Sequence, residues 1–162
     1  MGWLRGLDRL IGRTVAVVQW LILPLILLLF LQWPLRDAVQ CCSRQANDLG
    51  QIFFALLVAV SVTAATRAGT HLAADTLAHR YTKRTRHRLR QICAAVGLIP
   101  WSLFILYASK NFVWLSLREL ELFPDTFNPG YFLIKLALWL MAVLIVAQSL
   151  VDIFSPVPAG DA

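Results

Sequence analysis

Four long apolar stretches alternate with polar segments along the chain, and this pattern predicts four membrane-spanning helices. Crossing the hydrocarbon core of a bilayer takes roughly 20 apolar residues, because a helix rises about 1.5 Å per residue across about 30 Å. The stretches that meet this requirement lie at about residues 14–35, 47–66, 91–109 and 130–154. A lipid-exposed backbone must satisfy its own hydrogen bonds, and a barrel would show alternating rather than continuous apolar positions. The sequence therefore predicts an all-α integral membrane protein, one four-helix domain over residues 1–162.

The segment before the first span has the pattern of an amphipathic helix. One helical side carries Trp3, Leu4, Leu7, Leu10 and Ile11, and the other carries most of Arg5, Asp8, Arg9 and Arg13. Such a segment favours a short interfacial helix that leads into the span. Each arginine near an anionic leaflet gains about 1 kcal/mol. We therefore predict that Arg5, Arg9 and Arg13 contact membrane phospholipids, as do Lys83 and Arg84 of the next basic segment.

Composition supports a membrane protein over a soluble one. Hydrophobic residues make up 59% of the chain and charged residues only 15%, with a mean hydropathy of +0.66, outside the balance of soluble globular domains. The net charge of +6 would suggest nucleic acid in a soluble protein. In a membrane protein, positive charge instead marks the cytoplasmic side, so no nucleic-acid partner is expected.

The distribution of lysine and arginine predicts the topology. Residues 67–90 form a basic block with seven Lys or Arg, all three histidines and a single acid, Asp75. Three more arginines lie before the first span, so these two segments together contain ten lysines and arginines. The loops after the first and third spans contain only three, Arg36, Arg44 and Arg118. By the positive-inside rule, residues 67–90 form a cytoplasmic loop and both termini are cytoplasmic.

Residues that could perform chemistry are few. Cys41 and Cys42 are adjacent, a spacing that strains a mutual disulfide, and Cys93 lies across the membrane from them. The histidines lie among cations in the basic block and outside every span, which argues against a metal or haem site. No Ser/His/Asp arrangement and no phosphate-binding glycine loop occurs. The sequence therefore predicts neither an enzyme nor a bound cofactor.

The spans themselves contain little polarity. Pro24 and Pro100 each remove a helix hydrogen bond, and without accompanying polar clusters we expect packing bends rather than broken-helix binding sites. Asp152, at the end of the fourth span, is the only carboxylate within a predicted span apart from Asp48 near the start of the second. An ion-coupled transporter acting alone would normally keep an ionisable group on its pathway. The loop after the third span is acidic, with Glu119, Glu121 and Asp125, and is either a solvated connector or a docking surface for a soluble extracytoplasmic partner.

The start of the basic block carries a family resemblance. The pattern Arg67-x-Gly69-x-His71-x-x-x-Asp75-x-Leu77 resembles the junction after the second span in the small, DctQ-type membrane subunit of TRAP transporters. "LQWPLR", residues 31–36, is similar to that family's end of the first span, and residues 122–143 are similar to its Pro-flanked start of the fourth. The family commonly has a Trp and paired acids at the start of the second span, where this chain has only Asp48, which we add to the possible docking residues.

The resemblance implies a sodium-driven transporter in the bacterial inner membrane. A periplasmic binding protein captures an organic acid or related solute, a large membrane subunit moves it by an elevator motion, and the small subunit supports the large one. Arg67, His71 and Asp75 would share one face if the second span continued as a helix, and Gly69 would permit close approach or a turn. The resemblance thus assigns them a structural role at the junction. A self-contained homo-oligomeric transporter or channel is the alternative function.

Overall fold

The computed structural model describes residues 2–39, 43–68 and 82–155, and helices dominate these ranges. In chain order they are α1 (Gly2–Gln19), α2 (Ile22–Val39), α3 (Ser43–Ala68), α4 (Lys83–Cys93), a π-helical turn (Ala94–Leu98), α5 (Ile99–Arg118) and α6 (Tyr131–Phe154). Four helical stretches are long and apolar enough to cross a membrane: Trp3–Leu31, Ala46–Ala68, Arg84–Arg118 and Tyr131–Phe154. The predicted all-α class with four spans is confirmed.

The N-terminal helix and the first span meet at a tight turn. Trp20 and Leu21 separate α1 from α2, and their N–H groups donate to the carbonyls of Val17 and Val18, three residues back. Pro24 has no N–H for the carbonyl of Trp20, which accepts instead from Leu23 at 3.3 Å. The proline therefore interrupts the helix one turn before its own position. Helix α1 has 18 residues, so the predicted short N-terminal helix continues into the start of the predicted first span.

The third span begins earlier than the sequence predicted. Thr82 caps α4, because its hydroxyl accepts from the backbone N–H of Thr85 at 3.3 Å. From there, α4, the π-helical turn and α5 run on to Arg118. The predicted basic loop, residues 67–90, therefore needs correction, since its last residues from Lys83 onward are helical. Arginine and lysine are good helix formers, so a cationic segment can extend an apolar helix into water.

The π-helical turn precedes the proline of the third span. The N–H of Ile99 donates to the carbonyl of Ala94, five residues back, and Pro100 follows in the first turn of α5. The Ser102 hydroxyl donates to the carbonyls of Leu98 at 2.5 Å and of Ile99 at 3.2 Å. A wider turn and a hydroxyl thus accommodate Pro100, where the sequence predicted a packing bend.

The helices pack as an open row with α3 and α6 at its centre. These two make the most extensive contact, while α2 packs mainly on α3 and α5 packs mainly on α6. Several fully or nearly buried residues of the central pair are small, which lets the two backbones approach: Ala59, Thr63, Ala142 and Ser149. Helix α1 lies against both central helices at one end. The edge helices α2 and α5 therefore leave much of their apolar surface uncovered.

Candidate functional site

An ion pair joins α1 to the end of α3. Arg67 Nη1 lies 3.0 Å from Asp8 Oδ1 and donates to the Asp8 carbonyl oxygen at 2.9 Å. Asp8 reaches this position because Ile11, one turn later on α1, is buried with only 1% of its surface exposed. The amphipathic pattern predicted Asp8 on the polar side of α1 with Arg5 and Arg9, whereas the Asp8 carboxylate contacts Arg67 of α3. Arg67 of the family motif thus holds the N-terminal helix against the second span.

A second ion pair joins α4 to the end of α6. Arg90 Nη2 lies 3.0 Å from Asp152 Oδ1 and 3.2 Å from Oδ2. The same nitrogen lies 3.2 Å from the carbonyl oxygens of both Thr66 and Arg67, in the last turn of α3. Those carbonyls have no partner inside their helix, and a cation there also complements the helix dipole. One guanidinium therefore links three helices.

Further hydrogen bonds hold α4 along the end of α6. Gln91 Nε2 donates to the carbonyl oxygens of Ile153 at 2.9 Å and of Ser155 at 3.4 Å. The His87 ring lies 3.3 Å from the Ser155 carbonyl oxygen. Buried Gln148 donates to Asp152 Oδ1 at 3.1 Å. We call the cluster at this end of the molecule the basic-end junction; it comprises Asp8, Thr66, Arg67, His87, Arg90, Gln91, Gln148, Asp152 and Ser155.

A buried polar seam continues from this junction between the central helices. Thr63 and Ser149 have no exposed surface, and Gln148 is 2% exposed. Within the described ranges, Thr63 Oγ1, Ser149 Oγ and Gln148 Oε1 have no hydrogen-bond partner. Hydroxyls between apolar helices usually find partners, so these groups cost stability rather than provide it.

At the opposite end, the loop after α5 is fastened to the start of α3. Asp48 Oδ2 accepts from Thr126 Oγ1 at 2.5 Å and from Asn128 Nδ2 at 3.0 Å, and Asp48 is only 7% exposed. Phe123, 3% exposed, packs edge-on against Tyr131 with ring centroids 5.4 Å apart. Asp48 was predicted as a possible docking residue. Its carboxylate is instead occupied by the loop of its own chain.

Glu121 has a similar structural role. Its carboxylate accepts from Ser116 Oγ at 2.5 Å and from Lys135 Nζ. The Lys135 ammonium and then the Ser116 hydroxyl hold the pKa of Glu121 below its ordinary value of 4.5, because both donate to the charged form. Lys135 also lies 3.8 Å from the centroid of the Phe112 ring. Of the acidic residues predicted for docking, only Glu119 and Asp125 are left exposed.

The structure describes only some of the predicted site residues. Gly69, His71 and Asp75 of the family motif, like Cys41 and Cys42, lie outside the described residues. Arg5, Arg9, Arg13 and Arg84, which were predicted to contact lipid, have exposed side chains, and the Lys83 side chain lies outside the described residues.

Sequence reasoning missed the partners at the basic-end junction. It noted Asp152 as a carboxylate at the end of a span without assigning Arg90 to it. A carboxylate in an apolar span needs a partner, and that signal pointed toward a nearby cation. The residues are 62 positions apart, and the block offered seven candidates. Only the packing of α4 on α6 selects Arg90.

The hydrogen bonds and ion pairs of the described residues join helices to one another. Among the described residues, no group of three or more His, Cys, Asp or Glu side chains could hold a metal ion. Three ion pairs, Asp8–Arg67, Arg90–Asp152 and Glu121–Lys135, lie toward the two ends of the described helices, and apolar surface lies between them. These features define a multi-pass helical membrane protein whose polar clusters position its helices.

Comparison with protein families then identifies the chain more closely. Residues 25–159 match the family described as Tripartite ATP-independent periplasmic transporters, DctQ component. This match covers most of the 162 residues, so the chain belongs to the DctQ family and is a small membrane subunit of a TRAP transporter. Family membership implies association with a large membrane subunit and a periplasmic binding protein, in the bacterial inner membrane. Comparison with curated proteins and with solved structures gave no significant match.

Proposed function

We propose that this subunit is a static scaffold for a large elevator-type membrane subunit. In this proposal a sodium gradient drives uptake of an organic acid or related solute, which the periplasmic binding protein delivers. The small subunit binds neither solute nor sodium. It holds the immobile part of the large subunit in the bilayer while the moving part slides.

The open row of helices is the observation that carries this proposal. In the most apolar window of each span, only 6% of the residues are buried for the first span and 11% for the third, against 28% and 33% for the central spans. Lipid can cover such apolar edges, but an open row of helices also leaves a broad face on which a larger membrane subunit can pack. The uncovered surface is therefore available to both lipid and a protein partner.

Helix α5 offers two apolar stripes for these two environments. Its buried side is formed by Ser102, Val113 and Ser116. An exposed apolar stripe lies on each side of this buried face. The first stripe carries Trp101, Phe104 and Leu115, and the second carries Leu103, Tyr107 and Trp114. Trp101 and Phe104 are already stacked, with centroids 6.0 Å apart. If α5 borders the large subunit, one stripe faces that subunit and the other faces lipid.

The polar groups of the central spans support a scaffold over the homo-oligomeric transporter. Coupled transport requires solute and ion sites near the midplane that open to each side in turn. In the described spans, the polar residues near the middle are mostly hydroxyls packed between helices, and the charged residues lie toward the two ends. The carboxylate of Asp152 is engaged by Arg90 rather than free to bind an ion.

Co-purification and photo-crosslinking test this function together. A photo-reactive amino acid is placed at Trp101 or Leu103, one exposed position on each α5 stripe, in the chain co-expressed with its large subunit. The scaffold predicts a defined complex of the two subunits and crosslinks to the large subunit from one position only. Crosslinks from both positions to further copies of this chain, with no large subunit retained, would support the homo-oligomer.

We also propose that both termini are cytoplasmic. The contacts Asp8–Arg67 and Arg90–Asp152 bring the N-terminal helix and the end of α6 to one end of the molecule, and the excess of cations favours the cytoplasmic side for that end. In a cysteine-free variant, an impermeant thiol reagent added to spheroplasts should label a cysteine placed at Asp125 but not one at Arg84. Labelling of position 84 alone would reverse the topology.

A further inference from the structure

An open cleft of about 450 Å³ lies between the first turns of α1 and the last turn of α6. Its lining combines three apolar side chains with two arginines, an acid and a serine: Leu4, Val151 and Phe154; Arg5 and Arg9; Asp8; and Ser155. Trp3 stands beside it, edge-on to Phe154 with ring centroids 6.5 Å apart. A ligand that fits this lining has an apolar part and a polar head.

The charges of the cleft favour an anionic head. Asp8 is the one acid in the lining, and its carboxylate is bound to Arg67 at 3.0 Å. Arg5 and Arg9 are exposed and form no ion pair within the described part of the chain. Arg9 Nε donates to the carbonyl oxygen of Arg5 at 3.2 Å, which keeps the two side chains on one stretch of helix. Two guanidiniums without acidic partners in the described ranges suit a phosphate group, because phosphate oxygens accept hydrogen bonds from the forked N–H groups of arginine.

The position of the cleft favours a lipid as the source of that phosphate. Helix α6 has 24 residues and is therefore about 36 Å long, slightly more than the roughly 30 Å hydrocarbon core. Its last turn, with Val151 and Phe154, consequently lies where hydrocarbon gives way to headgroups. Because 54% of Phe154 is exposed, its ring offers apolar surface to an acyl chain at that depth.

We propose that this cleft is a binding site for one anionic phospholipid. Arg5 and Arg9 bind the phosphate, and an acyl chain lies against Leu4, Val151 and Phe154. The site goes beyond a general attraction of basic residues to the membrane, because it depends on two particular arginines and on apolar walls. It requires only that the chain lies in a bilayer, so it does not rest on the scaffold role.

Native mass spectrometry of the purified, delipidated chain in a neutral detergent tests the site, by titration with phosphatidylglycerol or phosphatidylcholine. The double variant Arg5→Gln/Arg9→Gln should lose about thirty-fold in phosphatidylglycerol affinity, at roughly fivefold per arginine. The control, Arg13→Gln/Arg84→Gln, removes the same charge from exposed positions outside the cleft and should lose less than about threefold. Water-soluble glycerol phosphate should not bind measurably, because it lacks the acyl chain.

Equal losses in the two double variants would show a general electrostatic attraction and overturn the proposal. So would equal affinity for the two lipids, or binding of glycerol phosphate comparable to that of the lipid. Co-purification with the large subunit provides the separate readout, and the cleft variant should retain it. If the cleft variant no longer co-purifies with the large subunit, the cleft is a protein interface instead. If the scaffold role itself is wrong, the unmodified chain already fails to co-purify with the large subunit.

Discussion

The guanidinium of Arg90 offers the sharpest test of how the helices are held together. Replacing it with methionine keeps a long side chain but removes the contacts with Asp152, Thr66 and Arg67. The Asp152 side chain, 9% exposed, would then be left with Gln148 as its remaining side-chain donor. Replacing Asp152 with asparagine has a smaller effect, because the Arg90 side chain is 41% exposed and still reaches the two carbonyls.

The expected magnitudes follow from this asymmetry. Removing one partner of a fully buried pair costs about 3–5 kcal/mol, because the other charge stays buried alone. Since water reaches Arg90, we expect a smaller loss of about 2–3 kcal/mol for Arg90→Met and about 1 kcal/mol for Asp152→Asn. The double variant should lose less than the sum, because it contains no unpaired carboxylate. Arg88→Met, an exposed change two residues away, should cost under about 0.5 kcal/mol.

The free energies of unfolding can be measured by titrating each variant from mild detergent into SDS while recording tryptophan fluorescence. The structural account requires the order Arg90→Met, then Asp152→Asn, then Arg88→Met, together with a non-additive double variant. If Arg88→Met were as costly as Arg90→Met, or if the effects of Arg90→Met and Asp152→Asn simply added, the junction would not hold the helices as described.

Three further predictions use the same unfolding assay. Thr63→Val and Ser149→Ala remove hydroxyls that have no hydrogen-bond partner among the described residues, so each should leave stability unchanged or raise it by up to about 1 kcal/mol. A loss above about 1 kcal/mol would contradict this prediction. Because Lys135 lowers the pKa of Glu121, the interaction of these two residues stabilises the loop above pH 4.5 and is lost as the pH falls through the lowered pKa of the folded state. Glu121→Gln should therefore flatten the dependence of stability on pH in the acid range. An acid transition that is the same in this variant would contradict the prediction. Phe127 is 75% exposed with φ +53°, so Phe127→Gly should relieve strain and stabilise by about 0.5 kcal/mol, whereas a clear loss would show that the ring makes a needed contact.

The four spans could be predicted because continuous apolar runs of sufficient length leave few other structures for a chain in lipid. The ends of the spans could not be predicted, because α1 and α4 extend them with amphipathic or cationic turns, and such turns are not recognised by their hydropathy. The turn at Trp20 and Leu21 shows a related limit. Pro24 predicts a disturbance, but the place where the helix breaks depends on which carbonyl loses its donor.

The sequence did not predict the partners of the site residues, because packing brings together residues that are far apart along the chain. Arg67 was identified through its motif, but its partner Asp8 lies 59 positions away, and one helical face of α1 had to turn inward to supply it. Asp48 and Glu121 were predicted as possible docking residues, and the sequence does not reveal that other segments of the chain donate hydrogen bonds to both. Thr126 reaches Asp48 across 78 positions. Charge alone therefore could not distinguish a docking acid from one that fastens a loop.

Solute uptake in proteoliposomes tests the central claim most directly. The chain alone, the large subunit alone and both together are reconstituted with an imposed sodium gradient, and radiolabelled organic acids are offered with the binding protein. The scaffold account predicts no sodium-driven uptake by this chain alone and saturable uptake only when all three proteins are present. Saturable, sodium-dependent uptake by this chain alone would contradict it.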